Sequence, residues 1–126
     1  MSLPALSRAL KLQEKAGKVG FDWSDVGAVF AKLAEEMDEV KAEVAKGSPD
    51  ELFAEVGDLL FATVNLARHL KVDPEAALRA ANVKFERRFR HVEARLSERG
   101  QAPERASLDE MEALWSEAKG LERPKG

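Results

Sequence analysis

The sequence has 126 residues, of which 34% are charged and only 6% are aromatic, and its formal net charge is −3. This length fits one domain with a small hydrophobic core, and the composition favours an all-helical protein. The negative charge argues against nucleic-acid binding. Cysteine is absent, which excludes disulfides and thiolate metal sites. The absence of cysteine also makes a reducing cytoplasm the simplest location. No apolar run approaches the roughly 20 residues that span a bilayer, so we expect no membrane partner.

The pattern of apolar residues predicts five helices, at residues 4–16, 24–46, 49–70, 74–99 and 108–119. Ser48 with Glu51, and Ser107 with Glu110, have the S-x-x-E spacing of a capping box. Asp73 is a further candidate cap, because a proline follows it at the first helical position. Three helices are expected to end at a glycine, at Gly17, Gly47 and Gly100.

Short loops join the long helices, which favours antiparallel neighbours in a bundle. The segment at 100–106 is expected to be a polar loop. We expect one domain over residues 1–126, with a core at about 4–119 and a flexible tail at 120–126.

The second predicted helix carries acids along one flank of an apolar stripe. At about 100° per residue, the stripe comprises Leu33, Met37, Val40 and Val44. Glu36, Glu39 and Glu43 follow the i, i+3, i+7 spacing, which places their carboxylates on one line beside it. Glu35 and Asp38 lie opposite, towards water. Taken alone, this pattern favours a solvated flank.

The third predicted helix is apolar on most faces, yet four polar side chains share one narrow sector. These are Glu55, Asp58, Asn65 and His69. No Lys or Arg lies on that sector. Isolated buried carboxylates either take up a proton or bind a cation, so the two acids require a partner from outside the helix.

An antiparallel pairing of these helices brings Glu36 and Glu39 opposite Glu55 and Asp58. Carboxylate ligands without His or Cys suit Mg²⁺, with Mn²⁺ as the alternative, rather than zinc. A di-iron bundle would require Glu-x-x-His pairs, and the chain has none. A metal site is therefore favoured over a purely structural cluster of acids.

The fourth predicted helix supplies positive charge beside its own apolar stripe, which comprises Leu78, Phe85, Phe89, Val92 and Leu96. Lys84 and Arg88 border this stripe and Asn82 interrupts it. The structural alternatives are a salt-bridged exposed helix and a buried Asn that fixes helix register. Metal-binding carboxylates on two paired helices, together with Lys and Arg on a neighbouring helix, are typical of a polyphosphate site. Such a site implies phosphoryl chemistry on a nucleotide.

Six strings carry a family pattern: KVGFDW at 18–23, EEMDE at 35–39, EVGD at 55–58, GDLLFATVNLARHL at 57–70, ANVKFERRFRHVE at 81–93 and DEMEALW at 109–115. Over nearly the whole chain the sequence resembles the MazG nucleoside triphosphate pyrophosphohydrolases, most of all the C-terminal half of the two-repeat members. The resemblance implies an all-α four-helix-bundle fold that works as a dimer, with a dimer of dimers left open. It also implies Mg²⁺-dependent hydrolysis of (d)NTPs to the monophosphate and pyrophosphate.

Carried over by motif, the implied metal ligands are Glu36, Glu39, Glu55 and Asp58. Of these, Glu36 or Glu39 would orient the attacking water or take its proton. Glu35 is given an outer role or none. The residues implied to contact substrate are Lys84, Arg88, Asn82, Asn65, Trp115 and Lys18, with Phe21 and Trp23 beside Lys18 at the pocket mouth. For both tryptophans, ordinary packing is an equal alternative.

Two alternative functions stay open. One is a related all-α pyrophosphohydrolase that acts on dUTP, dCTP or phosphoribosyl-ATP. The other is a non-catalytic helical module that uses its acids to bind a structural cation or a basic partner. Metal binding without nucleotide turnover would indicate the second.

Overall fold

The structure is a computed structural model that describes residues 3–122 of the chain. Within them it contains helices only: α1 (Ala5–Lys18), α2 (Val26–Lys46), α3 (Pro49–His69), α4 (Pro74–Glu98), a short 3-10 helix (Pro103–Arg105) and α5 (Leu108–Leu121). The prediction of an all-α fold is confirmed. The helices group into two compact units, Met1–Ala77 and Leu78–Gly126, which divide within α4. None of the helices in the described part of the chain combines the length and hydrophobicity that a membrane crossing requires.

The predicted helix starts are largely confirmed by their capping hydrogen bonds. Ser107 and Glu110 form both bonds of a capping box, and Asp73 Oδ1 accepts from the backbone N–H groups of the two residues at 75 and 76. At Ser48 only one bond forms, from the Glu51 N–H at 3.4 Å. The Glu51 side chain instead lies near Glu43 on α2, where it raises the pKa of that carboxyl.

The helix ends show where glycine is required. Gly47 and Gly100 follow α2 and α4 with φ of 71° and 65°, as predicted for C-terminal glycines. The prediction for Gly17 is wrong, since α1 continues through it to Lys18. A Cβ at Gly17 would lie 3.3 Å from Asp22 Oδ2. This glycine therefore permits a close approach of the following loop instead of ending the helix.

In the first unit, α2 and α3 form an antiparallel pair, and α1 packs on α3. The side of α2 that is buried carries Val29, Glu36 and Glu43. The predicted core stripe is wrong for Met37 and Val44, which are 46% and 63% exposed, and its other two members, Leu33 and Val40, are half-buried. A helical wheel fixes the angles between side chains but does not decide on which side the neighbouring helix packs.

The third helix buries Ala62, Val64 and Asn65 and leaves much of its apolar surface exposed. Its exposed apolar side chains include Phe53, Val56, Leu60 and Phe61. Met37 and Val44 of α2 are exposed as well, so the helix pair leaves several large apolar side chains of the first unit uncovered. Apolar side chains that form a continuous exposed surface are typical of interaction sites.

In the second unit, Val92 and Leu96 of α4 pack with Leu114 of α5. The predicted core positions Leu78 and Phe85 are exposed instead, because α5 packs against the C-terminal half of α4. Asn82, which was predicted to interrupt a buried stripe, is also exposed. The last helix continues to Leu121 where a flexible tail was expected from residue 120, and the remainder of that tail, at 123–126, lies outside the described residues.

Candidate functional site

Three glutamates from the antiparallel helix pair converge on one point. Glu36 and Glu39 on α2 and Glu55 on α3 each offer a carboxylate oxygen, and these three oxygens lie within 4.8 Å of one another. Glu36 is buried, Glu55 is half-buried and Glu39 is exposed. The structure therefore brings together three of the four acids singled out in the sequence. The fourth, Asp58, is exposed and lines a cavity together with Glu36.

Two oxygens of this cluster have no hydrogen-bond partner among residues 3–122. They are Glu36 Oε2 and Glu55 Oε2, and both are buried. A buried carboxylate oxygen without a partner is unfavourable, because it has lost its hydration and gained nothing in exchange. A divalent cation held by several carboxylate oxygens would remove this penalty. The all-oxygen donor set fits the Mg²⁺ or Mn²⁺ expected from the sequence.

The crowding of negative charge raises the pKa of two acids in and beside the cluster. A hydrogen bond with Glu55 and the charge of Glu36 raise the pKa of Glu39 above its ordinary value. One turn along, a hydrogen bond with Glu51 and burial raise the pKa of Glu43. Such carboxyl pairs hold protons more tightly because two like charges cannot share a confined space. A cation at the cluster would have the opposite effect and favour the ionised form.

One positive side chain at this cluster was missed in the sequence. Lys32 Nζ lies 3.0 Å from Glu36 Oε1 and 3.6 Å from Glu35 Oε1. The hydrogen bond with Glu36 raises the pKa of Lys32. The spacing of four residues between Lys32 and Glu36 was the available signal, because such pairs lie one above the other on a helix. Lys32 therefore partly neutralises the most deeply buried acid of the site.

Replacing Lys32 by methionine should destabilise the metal-free protein. The change removes the ion pair of Glu36, whose side chain is 8% exposed, while Lys32 itself is 36% exposed. We expect a loss of about 1–2 kcal/mol in unfolding free energy, since the partial exposure of Lys32 weakens the pair. Urea unfolding would measure it. Lys41→Met on the same helix, at an exposed position, is the matched control, and an equal loss in both variants would contradict this role.

A cavity of about 180 Å³ adjoins the acids. It is enclosed by the first three helices and by the loop between α1 and α2. Its walls combine aromatic and charged side chains, among them Phe21, Trp23, Phe61, Lys32, Glu36 and Asp58. An apolar cavity with a few convergent polar groups is the usual form of a small-molecule site.

The loop that carries Phe21 and Trp23 is fastened to α3 by Asp22. Arg68 binds both carboxylate oxygens of Asp22, with Nη1–Oδ2 and Nη2–Oδ1 distances of 3.0 and 2.6 Å. His69 Nε2 lies 2.9 Å from the same Oδ1. The hydrogen bonds from Arg68 hold the pKa of Asp22 well below its ordinary value. We call Asp22, Arg68 and His69 the loop latch. Sequence reasoning found neither the latch nor its arginine.

The predicted substrate residues of the first unit take different positions. Asn65 is buried at the cavity wall, where its Oδ1 accepts hydrogen bonds from Arg68 Nε at 3.1 Å and Nη2 at 2.7 Å. Lys18 is exposed and lines a separate, wider groove beside Asp22 and His69. Trp23 lies on both the cavity and this groove.

The second unit holds the other predicted contacts. Arg88 Nη2 lies 2.9 Å from Glu122 Oε1, and the Arg88 guanidinium lies 5.7 Å from the centre of the Trp115 ring. Hydrogen bonds from Arg87 and then Arg88 lower the pKa of Glu122 to about 2. The Trp115 ring also packs against Phe85, with ring centres 5.2 Å apart. Lys84 and Asn82 are exposed on α4. Arg88 is therefore held by the Glu122 carboxylate and the Trp115 ring. A phosphate ligand would compete with Glu122 for the guanidinium group.

Residues 25–93, more than half of the chain, match the MazG nucleotide pyrophosphohydrolase domain. The chain belongs to the MazG family. The matched MazG segment contains all three clustered glutamates together with Lys32 and Asp58. The resemblance seen in the sequence is confirmed.

The similar proteins are considerably longer than this chain. The nucleoside triphosphate pyrophosphohydrolase of Escherichia coli K12 is 50% identical over 123 residues, which cover 96% of this chain and 47% of that protein. The nucleoside triphosphate pyrophosphohydrolase/pyrophosphatase MazG of Thermotoga maritima is 47% identical over 118 residues, which cover 94% and 45%. The uncharacterized protein YabN of Bacillus subtilis is 50% identical over 72 residues. The chain thus spans about half the length of the first two relatives.

Proposed function

We propose that the chain is a Mg²⁺-dependent nucleoside triphosphate pyrophosphohydrolase that converts (d)NTP and water to (d)NMP and pyrophosphate. The observation that carries this proposal is the convergence of Glu36, Glu39 and Glu55, where two buried oxygens lack a hydrogen-bond partner among the described residues. The MazG domain match and the names of the two long relatives support it. Mn²⁺ is the alternative ion.

In this proposal Glu36, Glu39, Glu55 and Asp58 hold the metal. A bound divalent ion would supply Lewis-acid stabilisation of the phosphate charge and lower the pKa of a coordinated water. Glu39 is best suited to orient the attacking water or to take its proton, because it is the exposed member of the cluster. Glu36 is less suited, since Lys32 already occupies one of its oxygens.

The remaining predicted contacts are proposed to bind the substrate. Phe21 and Trp23 line the cavity beside the acids and offer apolar surface to a nucleobase. Lys18 supplies positive charge in the neighbouring groove. On the second unit, Lys84 and Arg88 are proposed to hold phosphates, and Asn82 and Trp115 to contact the nucleoside. The arginine would then exchange its contact with Glu122 for a phosphate oxygen.

A homodimer is proposed from the uncovered apolar surface of the first unit. Met37 and Val44 on α2 and Phe53, Val56 and Leu60 on α3 are all at least 43% exposed in the single chain. A second copy that covered them would bury the apolar area that one chain leaves in water. Light scattering at micromolar concentration should give twice the chain mass, or four times for a dimer of dimers. A monomer would contradict the proposal.

The test is pyrophosphate release from the common ribo- and deoxyribonucleoside triphosphates, with and without Mg²⁺, followed by chromatography of the nucleotides. We expect metal-dependent conversion to monophosphates. Turnover confined to dUTP, dCTP or phosphoribosyl-ATP would indicate a related pyrophosphohydrolase. Orthophosphate with diphosphates would overturn the reaction type. Metal binding without turnover would favour a non-catalytic helical module.

A further inference from the structure

Gln13 on α1 places a fixed hydrogen-bond acceptor at the cavity. The side chain is 6% exposed, and its Nε2 donates to the backbone oxygen of Phe61 at 2.9 Å. This bond fixes the orientation of the amide, because turning it over would set two oxygens against each other. Gln13 Oε1 is therefore the atom left for another partner. It is buried and has none among the described residues.

Asn65 supplies the complementary group on the same cavity. Its Oδ1 already accepts two hydrogen bonds from Arg68, which fixes the orientation of the amide. In Asn65 the oxygen is therefore engaged, whereas in Gln13 it is the nitrogen. Among the described residues the Asn65 Nδ2 group has no hydrogen-bond partner, so it can donate to a ligand. Gln13 and Asn65 both line the cavity together with Phe21, Trp23 and Phe61. One acceptor and one donor thus lie in an aromatic-lined space.

We propose that Gln13 determines recognition of the nucleobase. Its Oε1 accepts a hydrogen bond from an N–H group of the base, and Asn65 Nδ2 donates to the neighbouring acceptor atom of the same base. The inference rests on the proposed function, because it concerns the same site. Proteins read unpaired bases in this way, through hydrogen bonds to the Watson–Crick edge and packing of the ring against aromatic or apolar side chains. Each common base has an N–H group next to an acceptor on that edge. Gln13 and Asn65 would therefore bind any of the common bases and would not distinguish between them.

Packing alone does not account for Gln13. A glutamine in an apolar wall leaves a polar oxygen without water, which an apolar residue of similar length would avoid. Lys32 lines the same cavity and could donate a hydrogen bond, but its ammonium group already binds Glu36 and Glu35. An N–H group of a bound ligand would supply the partner that Gln13 Oε1 lacks among the described residues. Gln13 would therefore separate nucleoside triphosphates from polyphosphates that lack a base.

The first test compares Gln13→Met with the wild type by calorimetry in the presence of Mg²⁺. The ligands are a non-hydrolysable uridine triphosphate analogue, with a methylene group between the α and β phosphorus atoms, and inorganic triphosphate. We expect the variant to bind the nucleotide analogue about tenfold more weakly and inorganic triphosphate as well as the wild type does. No change for the nucleotide, or an equal loss for both ligands, would overturn the inference.

The matched control is Gln101→Met. Gln101 is the only other glutamine of the sequence, and its Nε2 also donates to a backbone oxygen, that of Arg105. It belongs to the second unit and not to the residues that line the cavity. Gln101→Met should bind both ligands as the wild type does, so that a loss in Gln13→Met reports the position and not the substitution.

A measurement on the wild type keeps the inference testable if Gln13→Met does not fold. Methylation at N3 removes the single N–H of the uracil ring, so the N3-methyluridine analogue should bind at least tenfold more weakly than the uridine analogue. Equal binding would overturn the inference. Binding is measured without turnover, so the two proposals can be contradicted independently. If binding depends on the base and on Gln13 but no nucleotide is hydrolysed, only the proposed reaction is contradicted.

Discussion

Replacing Glu39 by glutamine should reduce nucleotide turnover about 10³-fold or more while the fold stays intact. Glu39 is exposed, so its side chain does not fill the core. One of its carboxylate oxygens lies within 4.8 Å of carboxylate oxygens of Glu36 and Glu55. Glutamine keeps the length and shape of the side chain but can neither bind a metal as a charged ligand nor take a proton.

The same change should raise the thermal stability of the metal-free protein. The raised pKa of Glu39 reflects its hydrogen bond with Glu55 and repulsion from Glu36. Glutamine removes one negative charge and can donate an N–H to the Glu55 carboxylate. Lower activity together with a higher Tm is the signature of a residue kept for function at the expense of stability.

Pyrophosphate release in Mg²⁺ and thermal unfolding in chelator would measure the two effects. Asp38→Asn is the matched control, because it removes one negative charge at the exposed neighbouring position of the same helix. The control should keep wild-type activity. Full activity of Glu39→Gln would overturn the catalytic assignment, and a large fall in its Tm would show that the acid has a structural role instead.

The helices and their starts were predictable because their signals are local. Ser107 with Glu110 and Asp73 before a proline define helix starts within four residues of sequence, and the structure contains the corresponding hydrogen bonds. Gly47 and Gly100 mark ends because left-handed backbone favours glycine. Gly17 was misread, since the same residue type also permits a close approach by Asp22, which no local pattern indicates.

The site was predictable in part. The acids of α2 and α3 were placed opposite each other from spacing alone, and Glu36, Glu39 and Glu55 do meet. The apolar stripe containing Met37 and Val44 was assigned to the core on the assumption that apolar residues face the neighbouring helix. In the single chain the acids Glu36, Glu39 and Glu55 meet between α2 and α3, while Met37 and Val44 are exposed. Such conflicts between local pattern and packing are expected at functional sites.

The residues that sequence reasoning missed act across long separations. Arg68 binds Asp22, which is 46 positions away in the chain, and Gln13 binds the backbone oxygen of Phe61, 48 positions away. Both contacts depend on how α1 and the following loop pack on α3. Propensity and periodicity describe single elements, so they carry no information about such pairs. Lys32 differs, because its i, i+4 spacing to Glu36 was present in the sequence.

Replacing Asp22 by asparagine should weaken both stability and substrate binding. Arg68, whose side chain is 18% exposed, would lose its paired carboxylate. We expect a loss of about 1–2 kcal/mol in unfolding free energy, since both partners are only partly shielded from water. The loop that carries Phe21 and Trp23 would also lose its attachment to α3, so KM for nucleotides should rise more than kcat falls. Urea unfolding and steady-state kinetics would measure these effects, again with Asp38→Asn as control.

The dependence of this loss on pH separates the charge of Asp22 from its shape. Hydrogen bonds from Arg68, and then from His69, lower the pKa of Asp22 in the folded protein below its ordinary value of 3.8. A lowered pKa stabilises the fold above the ordinary value, and the contribution is lost as the pH falls below it. The stability difference between wild type and Asp22→Asn should therefore be retained at about pH 5 and shrink below about pH 4. A difference that persists unchanged to low pH would show that the latch acts through packing, and the kinetic effect would then be expected at every pH.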